Sequence, residues 1–290
     1  MIFMDPKTDI GFKKLFGDNK RKNILISFLN SVLERKEGEQ IVAVDIMDPN
    51  NNRDTYHDKF SIIDIRCKDQ AQKTYIIEMQ KLDKKDFLER SQYYAALTYS
   101  RQIKDGEKYH LLTPVIFVGV LDFNLFNSPE LISHHLIMNS QTHEHALNHL
   151  EFHFLELPKF DKKVEELDGL VDKWIYILKN APKLNIIPQE LKNPEVIEEA
   201  MESLERGTWT DTELYNYDKY WDAIRNEASA LETATDRTKT DIAKKMLQQL
   251  NVDIKTIAQI TGLSVKELEE LKLAELKLAE LKLAELKKQH

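Results

Sequence analysis

"FSIIDIRCKDQAQKTYIIEMQ", residues 60–80, reads as two strands joined by the polar turn "QAQK". Both strands are apolar enough to be buried, yet Asp64 interrupts the first, and Glu78 and Gln80 interrupt the second. Side chains alternate faces along a strand, so Glu78 and Gln80 point one way while Ile77 and Met79 point the other. Asp64 shares a face with Ile62 and Arg66. If the strands pair around the turn, Asp64 and Glu78 come within a few ångströms of each other. Two carboxylates that close repel unless one is protonated or a cation sits between them. A hard divalent cation with retained waters, Mg²⁺ or Mn²⁺, resolves the conflict. A half-exposed hairpin with its polar groups in solvent satisfies the same spacing, and the pattern D-x13-E-x-Q does not by itself decide between the two.

Outward from the hairpin, the chain alternates helices and strands. Residues 6–16 and 20–33 repeat apolar side chains at helical spacing, and Gly17 separates them. Residues 39–47 alternate like a strand, and "DPNNNRD" (48–54) is rich in turn formers. Residues 86–103 read as a helix with Asp86 as its N-cap. The continuous apolar run over 111–123 suits a strand covered on both faces. Residues 132–138 and 149–157 suit two more strands, the second ended by Pro158. This alternation predicts an α/β core over 1–160. A helical region follows over 161–240, marked by Trp174, Ile175 and Leu178 and by residues 195–205.

Residues 241–290 form a third segment. Its centre reads helix, Gly262, then the capping box Ser264-Val-Lys-Glu267. That pattern suits a DNA-contacting helix-turn-helix or a plain helical hairpin. The tail "ELKLAELKLAELKLAELKK" repeats every five residues, so its leucines advance by about 140° and spiral around a helix. It predicts a helix without a coiled-coil seam. Self-association through this tail remains open, which makes a homo-oligomer one partner reading.

Charge and cysteine content narrow the function. The net charge of −8 argues against a generally adhesive nucleic-acid binder. Residues 1–36, however, carry eight Lys or Arg against four acids, while 195–236 carry twelve acids against three bases. A phosphate-binding surface near the N-terminus is therefore open, beside the plainer reading of solvated helix faces. The single cysteine, Cys67, permits no internal disulfide and reads as a buried strand residue. "MIFMDPKTDIGF" lacks the features of a signal peptide, and no apolar stretch suits a membrane span, so no membrane partner and a cytoplasmic location are expected. His143, His145, His149 and His153 fit no standard metal spacing and read as polar positions of a turn and a strand. Neither G-x-x-x-x-G-K-[ST] nor G-x-S-x-G occurs.

Taken in order, "DPKTDIGFKKLFG", "DKFSIIDIRC", "YIIEMQ", "ERSQYYAALTYSRQIKDGEKY" and "LTPVIFVGVLDF" resemble the recombination-promoting nuclease family, also labelled PD-(D/E)XK nuclease family transposases. The resemblance covers residues 4–160 and extends more loosely to "IAQITGLSVKELEEL". It implies a restriction-endonuclease-like α/β fold, a mixed sheet flanked by helices, with a helical C-terminal extension. It also implies Mg²⁺- or Mn²⁺-dependent hydrolysis of DNA phosphodiesters, with Asp64 and Glu78 as catalytic and metal-binding acids. Gln80 stands where the wider superfamily usually has Lys, so the water-activating group is open. Asp9, Arg90 and Tyr94 are accessory candidates. Lys81, Lys84, Lys85 and the bases of 7–22 could guide a DNA backbone. The competing expectation is a catalytically weak DNA-binding or oligomeric protein that keeps the fold.

Overall fold

The computed structural model describes residues 1–47, 64–83, 85–248 and 252–286. The loop expected over 48–54, the first residues of the hairpin (60–63) and Lys84 lie outside them. The chain divides into two compact units, 1–220 and 221–290.

The first unit is organised by six strands, β1 (Val44–Met47), β2 (Ile65–Asp69), β3 (Thr74–Gln80), β4 (Val115–Leu121), β5 (Ile132–Leu136) and β6 (Leu150–Glu156). Their spatial order is β1-β2-β3-β4-β6-β5. β3, β4 and β6 run parallel, and the outer pairings are antiparallel. This is the mixed sheet that the resemblance implies. The expected hairpin is β2–β3. Its turn is tied by Asp69, whose Oδ1 accepts from Ala71 N at 2.8 Å and Lys73 N at 2.9 Å. Every residue of β4 is buried, as its unbroken apolar run predicts for a central parallel strand.

The two faces of the sheet are covered differently. Tyr75, Ile77 and Met79 of β3, with Ile65, Cys67, Ile116, Val118 and Leu155, join a large core with α1 (Asp9–Phe16), α2 (Lys22–Val32), α4 (Gly169–Asn180) and α5 (Glu195–Leu204). Phe16, Phe28 and Trp174 meet there with ring centroids 4.6–5.9 Å apart. Truncating a side chain such as Trp174 in such a core costs about 3–5 kcal/mol. The helices of 169–204 thus bury their apolar stripes against the same core as the N-terminal pair. The opposite face is smaller. Ile76, Phe117, Leu121 and Phe154 pack there against Phe87 and Ala95 of α3 (Phe87–Ser100), the crossover between β3 and β4.

Two local expectations change. Only 44–47 of the expected strand 39–47 is β-structure. Its pairing ends where Val44 meets Asp69, at the hairpin turn, and the Asn30 side chain instead binds Ile41, accepting from its N–H at 2.9 Å and donating to its carbonyl at 2.8 Å. Asp86 occupies the N-cap position of α3 without capping it. Its carboxylate lies 3.7 Å from Arg90 instead.

α6 (Asp211–Leu247) begins in the first unit and ends in the second. In the second unit, Ala243, Ile257 and Leu268 centre a small core. α7 (Ile254–Thr261) is capped by Asp253, and Gly262, at φ +72°, ends it. The expected capping box forms: Ser264 N donates to Glu267 Oε2 at 2.7 Å, and Glu267 N to Ser264 Oγ at 3.3 Å. It starts α8 (Val265–Leu286), which carries the five-residue repeat. Among the described residues no helix is long and apolar enough to cross a membrane.

Candidate active site

The β2–β3 register pairs Ile65 with Ile77. One step further sets Asp64 opposite Glu78, on the face that α3 covers. The backbone N–H of Asp64 donates to Glu78 Oε1 at 3.3 Å, and Met79 N donates to Asp64 Oδ2 at 2.8 Å. The two acids singled out in the sequence are therefore brought together. Glu78 is only 6% exposed. Its β4 neighbour is Gly119, where an added Cβ would come within 2.9 Å of the Phe154 ring. A side chain there would have to displace the ring beside the acid.

Asp9 enters from the first turn of α1. That helix is capped by Thr8, whose Oγ1 accepts from Gly11 N at 3.0 Å. Gly11 lies so close to the preceding turn that a Cβ would sit 2.2 Å from Asp5 O. Asp9 is thereby held near enough to Asp64 for its charge to raise the proton affinity of that carboxyl. One turn on, Lys13 places Nζ 2.7 Å from Asp9 Oδ1. Its charge also favours the ionised forms of Asp64 and Glu78.

The electrostatics are those of too many acids for the cations present. Burial, reinforced by Asp9 and opposed by the Met79 N–H, pushes the Asp64 carboxyl up to about 6. Burial and the neighbouring Asp64 raise Glu78 well above the usual carboxylate range. Tyr94 of α3 stands next to them, and its hydroxyl is raised first by burial, then by the Glu78 charge.

Gln80, one strand period beyond Glu78, accepts a hydrogen bond from Arg90 Nη2. Arg90 lies over the Phe87 ring, 5.3 Å from its centroid. All three accessory candidates therefore reach the site, Asp9 from α1 and Arg90 and Tyr94 from α3. Two further groups stand at the site. Sequence reasoning gives Lys13 only as one of the bases of 7–22 that could guide DNA, although its i,i+4 spacing to Asp9 would place it beside that acid. Tyr220 carries no such signal. It comes from α6, and burial followed by the charges of Asp5, Asp9, Asp64 and Asp122 pushes its hydroxyl up to about 12.

Several expected phosphate guides are engaged inside the protein. Lys7 pairs with Asp122 at 2.9 Å, Lys14 with Glu213 at 2.7 Å and Lys81 with Asp5 at 3.2 Å. The histidines do not converge. His149 meets the Tyr99 hydroxyl at 2.9 Å, while His153 Nδ1 lies 2.6 Å from His134 Nδ1 across β5–β6. Cys67 is buried, and burial pushes its thiol up to about 12, which leaves it no thiolate for attack.

A family model described as PD-(D/E)XK nuclease family transposase matches residues 6–234. The chain belongs to this family. No curated protein and no solved structure matches it. Family membership supports a nuclease role connected with mobile DNA, with DNA as substrate. PD-(D/E)XK nucleases generally use divalent metal ions. The donor set here fits such an ion: buried and half-buried carboxylate oxygens whose negative charge is only partly offset by Arg90 and Lys13. Among the described residues no group of three or more His, Cys, Asp or Glu is arranged to hold a metal by itself. One or two carboxylates plus waters and substrate phosphate is the set that Mg²⁺ commonly accepts.

Proposed function

We propose that this chain is a metal-dependent DNA endonuclease that hydrolyses phosphodiester bonds in recombination or the movement of mobile DNA. The observation that carries the reading is the Asp64–Glu78 pair, Glu78 buried and Asp64 half-buried, adjacent and short of positive charge at the end of a central hairpin. Asp64 and Glu78 would hold Mg²⁺ or Mn²⁺. Such a cation, when bound, neutralises phosphate charge and makes a bound water more acidic. The chain's own part is to hold the carboxylates facing one point, to exclude solvent beneath them with Phe154 and the α3 face, and to present Gln80 beside the scissile phosphate. In the reaction a water oxygen bonds phosphorus, one bridging P–O bond breaks, and the water's proton passes to the leaving oxygen or to solvent. We assign this chemistry to residues 1–160, with the helical regions 161–240 and 241–290 as accessories. The lone, buried Cys67 suits a reducing cytoplasm.

The test is nicking of supercoiled plasmid in Mg²⁺ or Mn²⁺ by the wild type and by Glu78→Ala in parallel. Metal-dependent cutting lost in the variant supports the reading. DNA binding without cutting by the folded wild type would move the protein to a binding role, and equal cutting by both would place the site elsewhere. Cutting followed by strand joining would extend the activity to transposition.

A further inference from the structure

Gln80 is the one neutral member of the polar row on β3, and its amide has two ends of opposite character. The carbonyl oxygen accepts hydrogen bonds, and the NH₂ group donates two. Which end meets the substrate decides what the residue can do. A phosphate oxygen needs a donor, whereas a water that is to lose a proton needs an acceptor.

The surroundings of Gln80 decide the orientation. A guanidinium carries only donors, so the atom that Arg90 Nη2 touches is the Gln80 carbonyl oxygen, Oε1. That end is turned to Arg90, and the NH₂ group is turned the other way. Arg90 is itself held on two sides: its guanidinium stacks 5.3 Å from the Phe87 ring centroid and lies 3.7 Å from Asp86 Oδ1. Phe87 is anchored in turn, 6.1 Å from both Phe117 and Phe154. The backbone of Gln80 is fixed by its pairing with β4 and by Asp122 N, which donates to its carbonyl at 2.9 Å. A chain of fixed contacts, from the aromatic core through Arg90, thus sets the rotation of one amide beside Glu78.

We propose that Arg90 is a positioning residue that commits the Gln80 amide to donating its NH₂ hydrogens to a DNA phosphate oxygen. The proposal rests on the reading of this site as a phosphodiester-cleaving centre. It gives the Asp86–Arg90–Gln80 row a common purpose: the first two members orient, and the third touches substrate. Gln80 then takes no proton from the attacking water.

The decisive substitution is Gln80→Glu. It keeps the shape and still accepts from Arg90, more strongly than before, because the acceptor is now charged. It removes the donors and adds one negative charge beside Glu78. The expected result is a fall in kcat of roughly 10- to 100-fold, the scale of losing one donor to a charge that develops in the transition state. The melting temperature should be unchanged or higher. A Gln80→Glu enzyme as fast as the wild type, or faster, would overturn the proposal, because it would show that the position works as an acceptor. Arg90→Met and the double variant Gln80→Glu/Arg90→Met complete a cycle. If Arg90 acts through Gln80, the double variant is no slower than the slower single variant. Additive losses would show that Arg90 acts on the substrate directly and would sink its positioning role. Arg90→Lys, with circular dichroism of each variant, separates these outcomes from misfolding. Glu78→Ala runs alongside. If it cuts like the wild type, or if the wild type does not cut, the site reading falls and the proposal with it. If Glu78→Ala is dead while Gln80→Glu is fully active, only the proposal falls.

Discussion

Glu78 lies near the end of β3 and Glu156 ends β6, on either side of β4 in the same sheet, and both are buried. Their surroundings differ. Glu156, with no exposed surface, accepts from Leu125 N at 2.5 Å and Phe126 N at 3.0 Å, and Lys159 Nζ lies 2.5 Å away. Its negative charge is answered inside the protein. Glu78 accepts one backbone N–H, from Asp64, and lies beside the Asp64 charge, which has a third acid, Asp9, near it; Arg90 and Lys13 oppose these charges from a distance. Asp172 resembles Glu156, with Lys162 at 2.6 Å and Asp168 N at 2.8 Å. A carboxylate that stabilises a fold brings its own partners. One that waits for a cation and a phosphate is left short of them, at a cost in stability.

Substitution should split these two kinds of acid most sharply. Glu78→Ala or Asp64→Ala should lower plasmid nicking by at least about 100-fold, with the circular dichroism spectrum unchanged. Glu156→Ala should do the reverse. Removing it strands two backbone N–H groups and takes from the Lys159 ammonium its carboxylate partner, and should lower stability by roughly 3–5 kcal/mol in urea titration. Loss of stability in Glu78→Ala as large as in Glu156→Ala would erase the contrast.

The second test uses pH. Asp64 binds its proton more tightly in the folded state than unfolded, so its contribution favours the fold while the carboxyl is protonated. That contribution is complete below about pH 4 and is lost as pH rises through about 6. Asp64→Asn removes this loss. In the absence of metal the variant should therefore melt above the wild type at pH 7.5, by roughly 1–3 kcal/mol or several degrees. The gap should close as pH falls to 5 and below. A constant gap would mean that titration of Asp64 is not its source.

Added Mg²⁺ should raise the melting temperature of the wild type at pH 7.5 by a few degrees, through binding to the folded state alone. It should leave Glu78→Ala nearly unmoved. The smallest effect belongs to Lys13, whose side chain is about a third exposed. Lys13→Met removes the cation next to Asp9, so Mn²⁺ should bind a few-fold more tightly, read from the free-Mn²⁺ resonance in electron paramagnetic resonance. Weaker binding would mean that Lys13 holds Asp9 in place rather than competing with the metal.

Much of this contrast was legible in the sequence, for local reasons. β4 announced itself as an apolar run because a central parallel strand is covered on both sides. α1 and α2 announced themselves by one apolar stripe each. The alternation of β3 placed Glu78 and Gln80 on one face, and the short polar turn placed Asp64 opposite. What failed locally failed because a partner outside the segment won. Residues 39–43 had strand alternation, but Asn30 took the backbone of Ile41. Asp86 had cap chemistry, but its side chain makes no cap hydrogen bond and pairs with Arg90. His134 and His153 met through the β5–β6 register, which no spacing in the chain reveals. Lys7, Lys14 and Lys81 looked available for phosphate until Asp122, Glu213 and Asp5 came to meet them.

The sequence by itself determined the hairpin, its pair of acids and the amide beside them, because strand periodicity and a four-residue turn act over a few residues. Only the tertiary structure decided the company those acids keep. α1 packs on one face of the sheet and α3 on the other, and the point where both reach the end of β3 brings Asp9, Lys13, Tyr94 and Arg90 to the same two carboxylates. The burial that results raises their proton affinity, and burial depends on contacts between segments far apart in the chain.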